Sequence, residues 1–275
     1  MDPAEARALL VEDVQEVLGQ VASGLPVARL SAELERASRV FQALAGCNLL
    51  ERLDSEAFRV NLLRSVHARL YFLRRSRQEG NLRDRRLALS RTEALLDALA
   101  AGHDATLDAL IDHSIERYVP GWEYEDDFLY FRSIEALHAG ADAAALQALA
   151  RQRRVALGGP PDTRQAVLES LGAGDAATFL EALRRLAAEA TEQADARRAA
   201  AYEVDLEAAI QWPRGFVSVE LLALIALAAR RGIRVDEPLP LAPLEGRLPR
   251  SGDDVEDFFE GIENIRRAEH PPAGG

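Results

Sequence analysis

The sequence predicts an all-α protein, a multi-helix array of roughly ten antiparallel helices, on three observations. Apolar residues recur with the helical period, capping residues precede those runs, and glycines stand near their ends. No alternating run makes a convincing strand. The short connections leave a solenoid-like stack open as an arrangement, although no fixed repeat period shows in residue identity.

Asp2 before Pro3, with Glu5 three residues on, opens a first helix running to about Ala22: an aspartate caps, and proline is tolerated where its missing N–H is not needed. From Ser55 to Arg75 the stripe Phe58, Leu62, Leu63, Val66, Leu70 and Leu73 follows, with Asp54 and Ser55 as caps. Leu107, Leu110, Ile111, Ser114, Ile115 and Tyr118 repeat the spacing, with Asp108, Asp112 and Glu116 on the wet face. Ser31, Asp84, Asp104, Asp142, Asp162 or Thr163, Asp175 and Ser218 are expected to cap the other helices. Gly24, Gly46, Gly80, Gly102, Gly140, Gly158, Gly172 and Gly232 mark the expected ends. The helix from Ser218 to Arg231 is apolar nearly all round and belongs at the centre. Prolines then forbid a helix over Ile233 to Pro249, an extended segment expected along the surface. These elements define a single all-α domain over 1–270, or two lobes over 1–158 and 162–270 divided at "GGPP", with a disordered tail over 271–275.

Composition narrows the function classes. With 45 acidic against 33 basic residues the net charge is -12, which opposes nucleic acid or an anionic membrane as partner and favours a cationic surface. All 33 basic residues are arginine, a pattern of codon usage rather than of function. Cys47, the only cysteine, excludes an intramolecular disulfide and a thiolate zinc site, and reads as a small inert core residue. The acidic start "MDPAEARALL" is not a signal peptide, and "LLALIALAA" (221–229) is shorter than the roughly 20 apolar residues of a membrane span. A cytoplasmic location is the expectation.

Residues able to do chemistry do not converge. Asp112, His113 and Ser114 are consecutive, so on a helix they point about 100° apart and cannot form a relay. Glu135 and His138 have the Glu-x-x-His spacing of helical di-iron sites, but no second such pair exists. "LGAGDAATF" lacks the preceding strand and the Lys-Ser/Thr of a phosphate loop. The six arginines of "RRSRQEGNLRDRR" (74–86) fall at a turn between helices, without the interleaved aromatics of a nucleic-acid platform. No catalytic residue, cofactor or metal is therefore expected.

"PGWEYEDDFLYF" (120–131) is the candidate site. A helix starting near Trp122 places Glu123, Glu125, Asp126 and Asp127 in its first turns, where free N–H groups favour acid. That does not account for Glu123 and Asp127 as like charges at i, i+4, nor for Trp122 and Tyr124 at an exposed start. Two readings stand: an ordinary helix start, and an aromatic-carboxylate clasp for arginine- or lysine-rich protein surfaces formed by Trp122, Glu123, Tyr124, Glu125, Asp126 and Asp127.

"WEYEDDFLYF" (122–131) together with "SVELLALIALAARRGI" (218–233) resembles the immunity protein 49 family of bacterial polymorphic toxin systems. The resemblance implies a helical, non-enzymatic cytoplasmic antidote. It would bind and neutralise a cognate toxin domain, delivered by contact-dependent secretion such as type VI or on an Rhs-type protein. Nucleic-acid-modifying enzymes are among such toxins, and an acidic inhibitor would suit a basic cleft. The alternatives are a metal-dependent helical enzyme using Glu135 and His138 with Glu125, Asp126 or Asp127, and a helical adaptor.

Overall fold

The computed structural model describes residues 2–199, 205–247 and 255–269. The expected tail over 271–275 lies outside them. Among the described residues there are twelve α-helices and no strand: α1 (Pro3–Ala22), α2 (Val27–Arg52), α3 (Ser55–Gln78), α4 (Ala94–Ala101), α5 (Asp104–His113), α6 (Glu125–His138), α7 (Ala143–Leu157), α8 (Thr163–Ala173), α9 (Ala176–Ala199), α10 (Leu206–Gln211), α11 (Val219–Arg230) and α12 (Phe258–Glu269). Short 3-10 turns occupy Arg85–Leu87, Leu89–Arg91, Trp212–Gly215 and Leu244–Arg247.

Local signals set most of the helix starts. Asp2, Asp54, Asp142, Asp162 and Asp175 each accept a backbone N–H three residues on at 2.8–3.1 Å, and Ser218 does so from Leu221 at 3.3 Å. Other starts depart from expectation. Ser31 lies inside α2, whose first N–H, that of Val27, donates at 2.8 Å to Glu79, 52 residues away. Asp84 caps only a 3-10 turn, and the cap of α5 is His103, whose Nδ1 accepts from Thr106 N, rather than Asp104.

The expected helix ends fare unevenly. Gly102 and Gly158 do close α4 and α7 in the left-handed region, φ 68° and 64°. Gly46 and Gly172 instead sit inside α2 and α8, where missing side chains admit Pro213 and Leu146. α5 stops at His113, short of the stripe's end at Tyr118, with the Ser114 hydroxyl turned back onto Leu110 O. The segment after α11 is largely extended but is not a surface strap: Ile233, Val235, Leu239 and Ala242 are all buried. Beyond it α12, which the sequence reading did not anticipate, inserts Phe259 between Phe41 and Tyr71, at centroid distances of 6.4 and 5.6 Å.

The buried side chains form one continuous apolar cluster from Ala6 to Phe259. α2 and α3 pack as an antiparallel pair, and α4 lies against both α3 and α11. α11 is buried along most of its length, as its composition demands. Contacts are not confined to sequential neighbours: α1 packs on α10 and α12 as well as on α2, beyond what nearest-neighbour stacking gives. Cys47 is fully buried, and burial, followed by Glu51, pushes its thiol up to about 12.

Candidate partner-binding surface

Residues of the acidic-aromatic block point in three directions. Glu123 precedes α6 and turns inward, its carboxylate accepting the N–H groups of Leu89 (3.1 Å) and Ser90 (2.8 Å). Arg69, buried in α3, donates to the carbonyls of Arg86, Leu87 (3.0 Å) and Ala88 (2.8 Å). The loop before α4 is thus held from both sides, its carbonyls by a cation and its amides by an anion. Trp122 is half-buried against the core, and its carbonyl accepts from Arg91 at 3.1 Å. The like charges expected at i, i+4 do not share a helical face, because α6 begins at Glu125.

Tyr124 and Glu125 project outward. Tyr124 is 77% exposed and neither residue has a side-chain partner among the described residues. Asp126 and Asp127 are half-buried in the first turn of α6. Burial and the adjacent Asp126 push the Asp127 carboxyl above its usual range, against the pull of Arg164 and Arg153.

Behind this surface lies a polar lock. Tyr130, 1% exposed, donates to Glu220 Oε1 at 2.7 Å, and Arg164 grips the same carboxylate through two bonds of 2.7 and 2.9 Å. The guanidiniums of Arg164 and Arg153 lie 5.0 and 5.6 Å from the centre of the Tyr130 ring. Arg153, buried on α7, donates to both oxygens of Asp162 (2.6 and 2.7 Å), to Gln165 and to the Asp126 carbonyl (3.1 Å). Burial works against ionisation of Asp162, but Arg153 overcomes it and holds the carboxyl below its usual range.

Glu135 and His138 do not meet. Glu135 is buried and paired with Arg132, and burial pushes its carboxyl up to about 7 despite that partner. His138 lies between Asp108 (2.8 Å) and Arg230 (3.0 Å). No group of three or more side chains able to hold a metal occurs among the described residues.

Sequence reading missed a buried cluster formed by α2, α3 and α4. Asp97, 1% exposed, accepts from Ser65 Oγ (2.6 Å) and Gln42 Nε2 (2.7 Å), and Ser65 shares a 2.8 Å bond with Ser38. Burial raises the Asp97 carboxyl to about 7, although Ser65 and Gln42 favour its charged form. The available signal was one aspartate in the otherwise apolar run "ALLDALAA".

Among the described residues the chain is thus all-helical, with the 3-10 turns before α4 braced by Arg69 and Glu123 and with Tyr124 and Glu125 on the outside. The model of immunity protein 49 matches residues 31–245, and the chain belongs to that family. The match spans residues 122–131 and 218–233 and leaves out α1 and α12. No curated protein and no solved structure matches the chain. No single helix among the described residues is long and apolar enough to cross a membrane.

Proposed function

We propose that this protein is a cytoplasmic antidote that binds a cognate secreted toxin domain by direct contact and neutralises it without chemistry or cofactor. Its contact surface is centred on Tyr124 and Glu125, with Asp126 and Asp127 beside them and Trp122 and Glu123 as the support beneath. The chain works as one unit over 1–270. The observation that carries this reading is the exposure of Tyr124, 77%, on a carboxylate-flanked helix start that has no structural use for it. An exposed phenol ringed by acid suits an arginine- or lysine-rich surface, such as the basic cleft of a nucleic-acid-modifying toxin.

The test is affinity capture from the native host with tagged wild-type protein and a Tyr124→Ala/Glu125→Arg variant, washed at low and then high salt. Retention of a large secreted protein by the wild type alone is the expected result. Equal capture by the folded variant would move the contact elsewhere.

A further inference from the structure

The two connections beside the acidic-aromatic block expose the opposite charge. One joins α3 to α4 and the other joins α5 to α6, and they are laced together at both ends. At the end of α3, Arg77 donates to Ser114 O at 3.5 Å; at the far end Arg91 reaches Trp122 O, and Glu123 takes the N–H groups of Leu89 and Ser90. Within the first connection the half-buried residues are engaged. Asp84 accepts from Arg86 N at 2.9 Å, Arg86 pairs with Glu35 at 3.1 Å, and Arg69 holds the carbonyls of Leu87 and Ala88. The outward residues are not: Leu82 is 59% exposed, and Arg83 and Arg85 are exposed with no ion pair among the described residues. Arg77 and Arg117 are also exposed and have no carboxylate partner among the described residues.

In a chain with 45 acidic residues and a net charge of -12, these arginines make a local reversal of sign next to the block that holds Tyr124 and Glu125. A loop pinned through its backbone presents them with little ordering left to lose on binding. Arginine beside an exposed apolar side chain is what protein contacts favour. Nucleic acid fits less well, because the overall charge repels it and the segment 77–91 holds no aromatic ring for a base. We propose that Arg83 and Arg85, with Leu82 beside them and Arg77 and Arg117 at the margin, form a cationic half of the partner-binding surface. The partner is then a protein whose contact face sets carboxylates next to its basic groups. This inference rests on the reading of Tyr124 and Glu125 as partner contacts.

The chain contains no lysine, so Arg83→Lys or Arg85→Lys introduces its one side-chain amine, which a zero-length carbodiimide couples only to a carboxylate. Wild type and both variants are cross-linked to the purified toxin domain that the wild type retains, and the intermolecular links are mapped by mass spectrometry. Links from carboxylates in 123–127 to partner amines are expected in all three, and added links from position 83 or 85 to partner carboxylates in the variants. Affinity for the same domain should fall about fivefold or more in Arg83→Glu and Arg85→Glu, but less than about twofold in Arg185→Glu, an exposed arginine of α9 whose reversal changes the net charge equally. Links from the acidic block alone, or equal losses in all three reversals, would overturn the cationic half and leave the contact at Tyr124 and Glu125 standing. Links from position 83 or 85 alone would remove the acidic half and overturn the two-signed surface, and no toxin retained by the wild type would overturn both readings. Saturable binding of an oligothymidine that Arg83→Glu abolishes would assign the arginines to nucleic acid and overturn the proposal as well.

Discussion

Tyr130 on α6 and Glu220 on α11, 90 residues apart in sequence, are joined by a 2.7 Å hydrogen bond inside the protein. This bond ties the blocks 122–131 and 218–233 into one structure, and Arg164 completes it by neutralising the carboxylate.

The two partners should differ in what their loss costs. Tyr130→Phe leaves Glu220 paired with Arg164 and is expected to destabilise by about 1–2 kcal/mol. Glu220→Ala leaves the buried phenol without its acceptor and Arg164, partly open to solvent, without its partner, and is expected to cost more, about 2–3 kcal/mol. Urea unfolding of both single variants and the double variant would show this, and equal costs for the two would mean that Glu220 is not the hub.

Glu123 and Glu125, two residues apart, should separate stability from binding. Glu123→Ala removes the acceptor for two backbone N–H groups and is expected to lower stability by about 1–3 kcal/mol. Glu125→Ala loses only its favourable place at a helix start, about 0.3–1 kcal/mol, while weakening capture of the partner. Thermal melts beside pull-downs would reveal the split, and a stability loss at Glu125 as large as that at Glu123 would contradict it.

Stability should fall as the solution is made more alkaline across the acid-to-neutral range. Asp97 and Glu135 hold their protons up to about 7 when folded but only to 3.8 and 4.5 by default. The folded state thus binds more protons than the unfolded one between those limits. Their contribution is complete below about pH 4, is lost as pH rises toward 7 and is level above it. For Asp97 the change is on the order of a few kcal/mol. Asp97→Asn, which can still accept from Gln42 and bond Ser65, should flatten the profile and be more stable than wild type at pH 8. A pH profile that Asp97→Asn leaves unchanged would refute the assignment.

Gly46→Ala should destabilise, against the usual rule that alanine improves a helix interior by about 1 kcal/mol. A methyl there would sit 2.6 Å from Pro213 Cβ, in a ring that cannot rotate away, and overpacking of this kind costs roughly 1–3 kcal/mol. A higher melting temperature for the variant would show that the Trp212–Gly215 turn yields.

Features written in a few consecutive residues were legible. Asp142 and Asp162 announced their helices because a cap bonds only three residues ahead. Gly46 was misread because glycine serves both a left-handed turn and a close approach, and only the packing of Pro213 tells which. The start of α2 was misplaced because its first N–H is taken up by Glu79, the residue that ends α3, 52 positions away in sequence. Within the candidate surface, sequence found the block but not its division: nothing local says that Glu123 faces Leu89 and Ser90 while Glu125 faces water. The Asp97 cluster was invisible for the same reason, since Ser38, Ser65 and Asp97 each sit on a different helix.

The packing of α1 on α10 and α12 makes the helical array a closed circuit rather than an open chain of neighbours. In an open array damage at one end stays local, because each unit leans only on the next. Here amides of α1 and α10 should exchange with solvent through the same opening event, and peeling away either helix removes a wall from the other. Loss of either contact should therefore be felt across the whole array, as a single cooperative unfolding transition rather than fraying from one end.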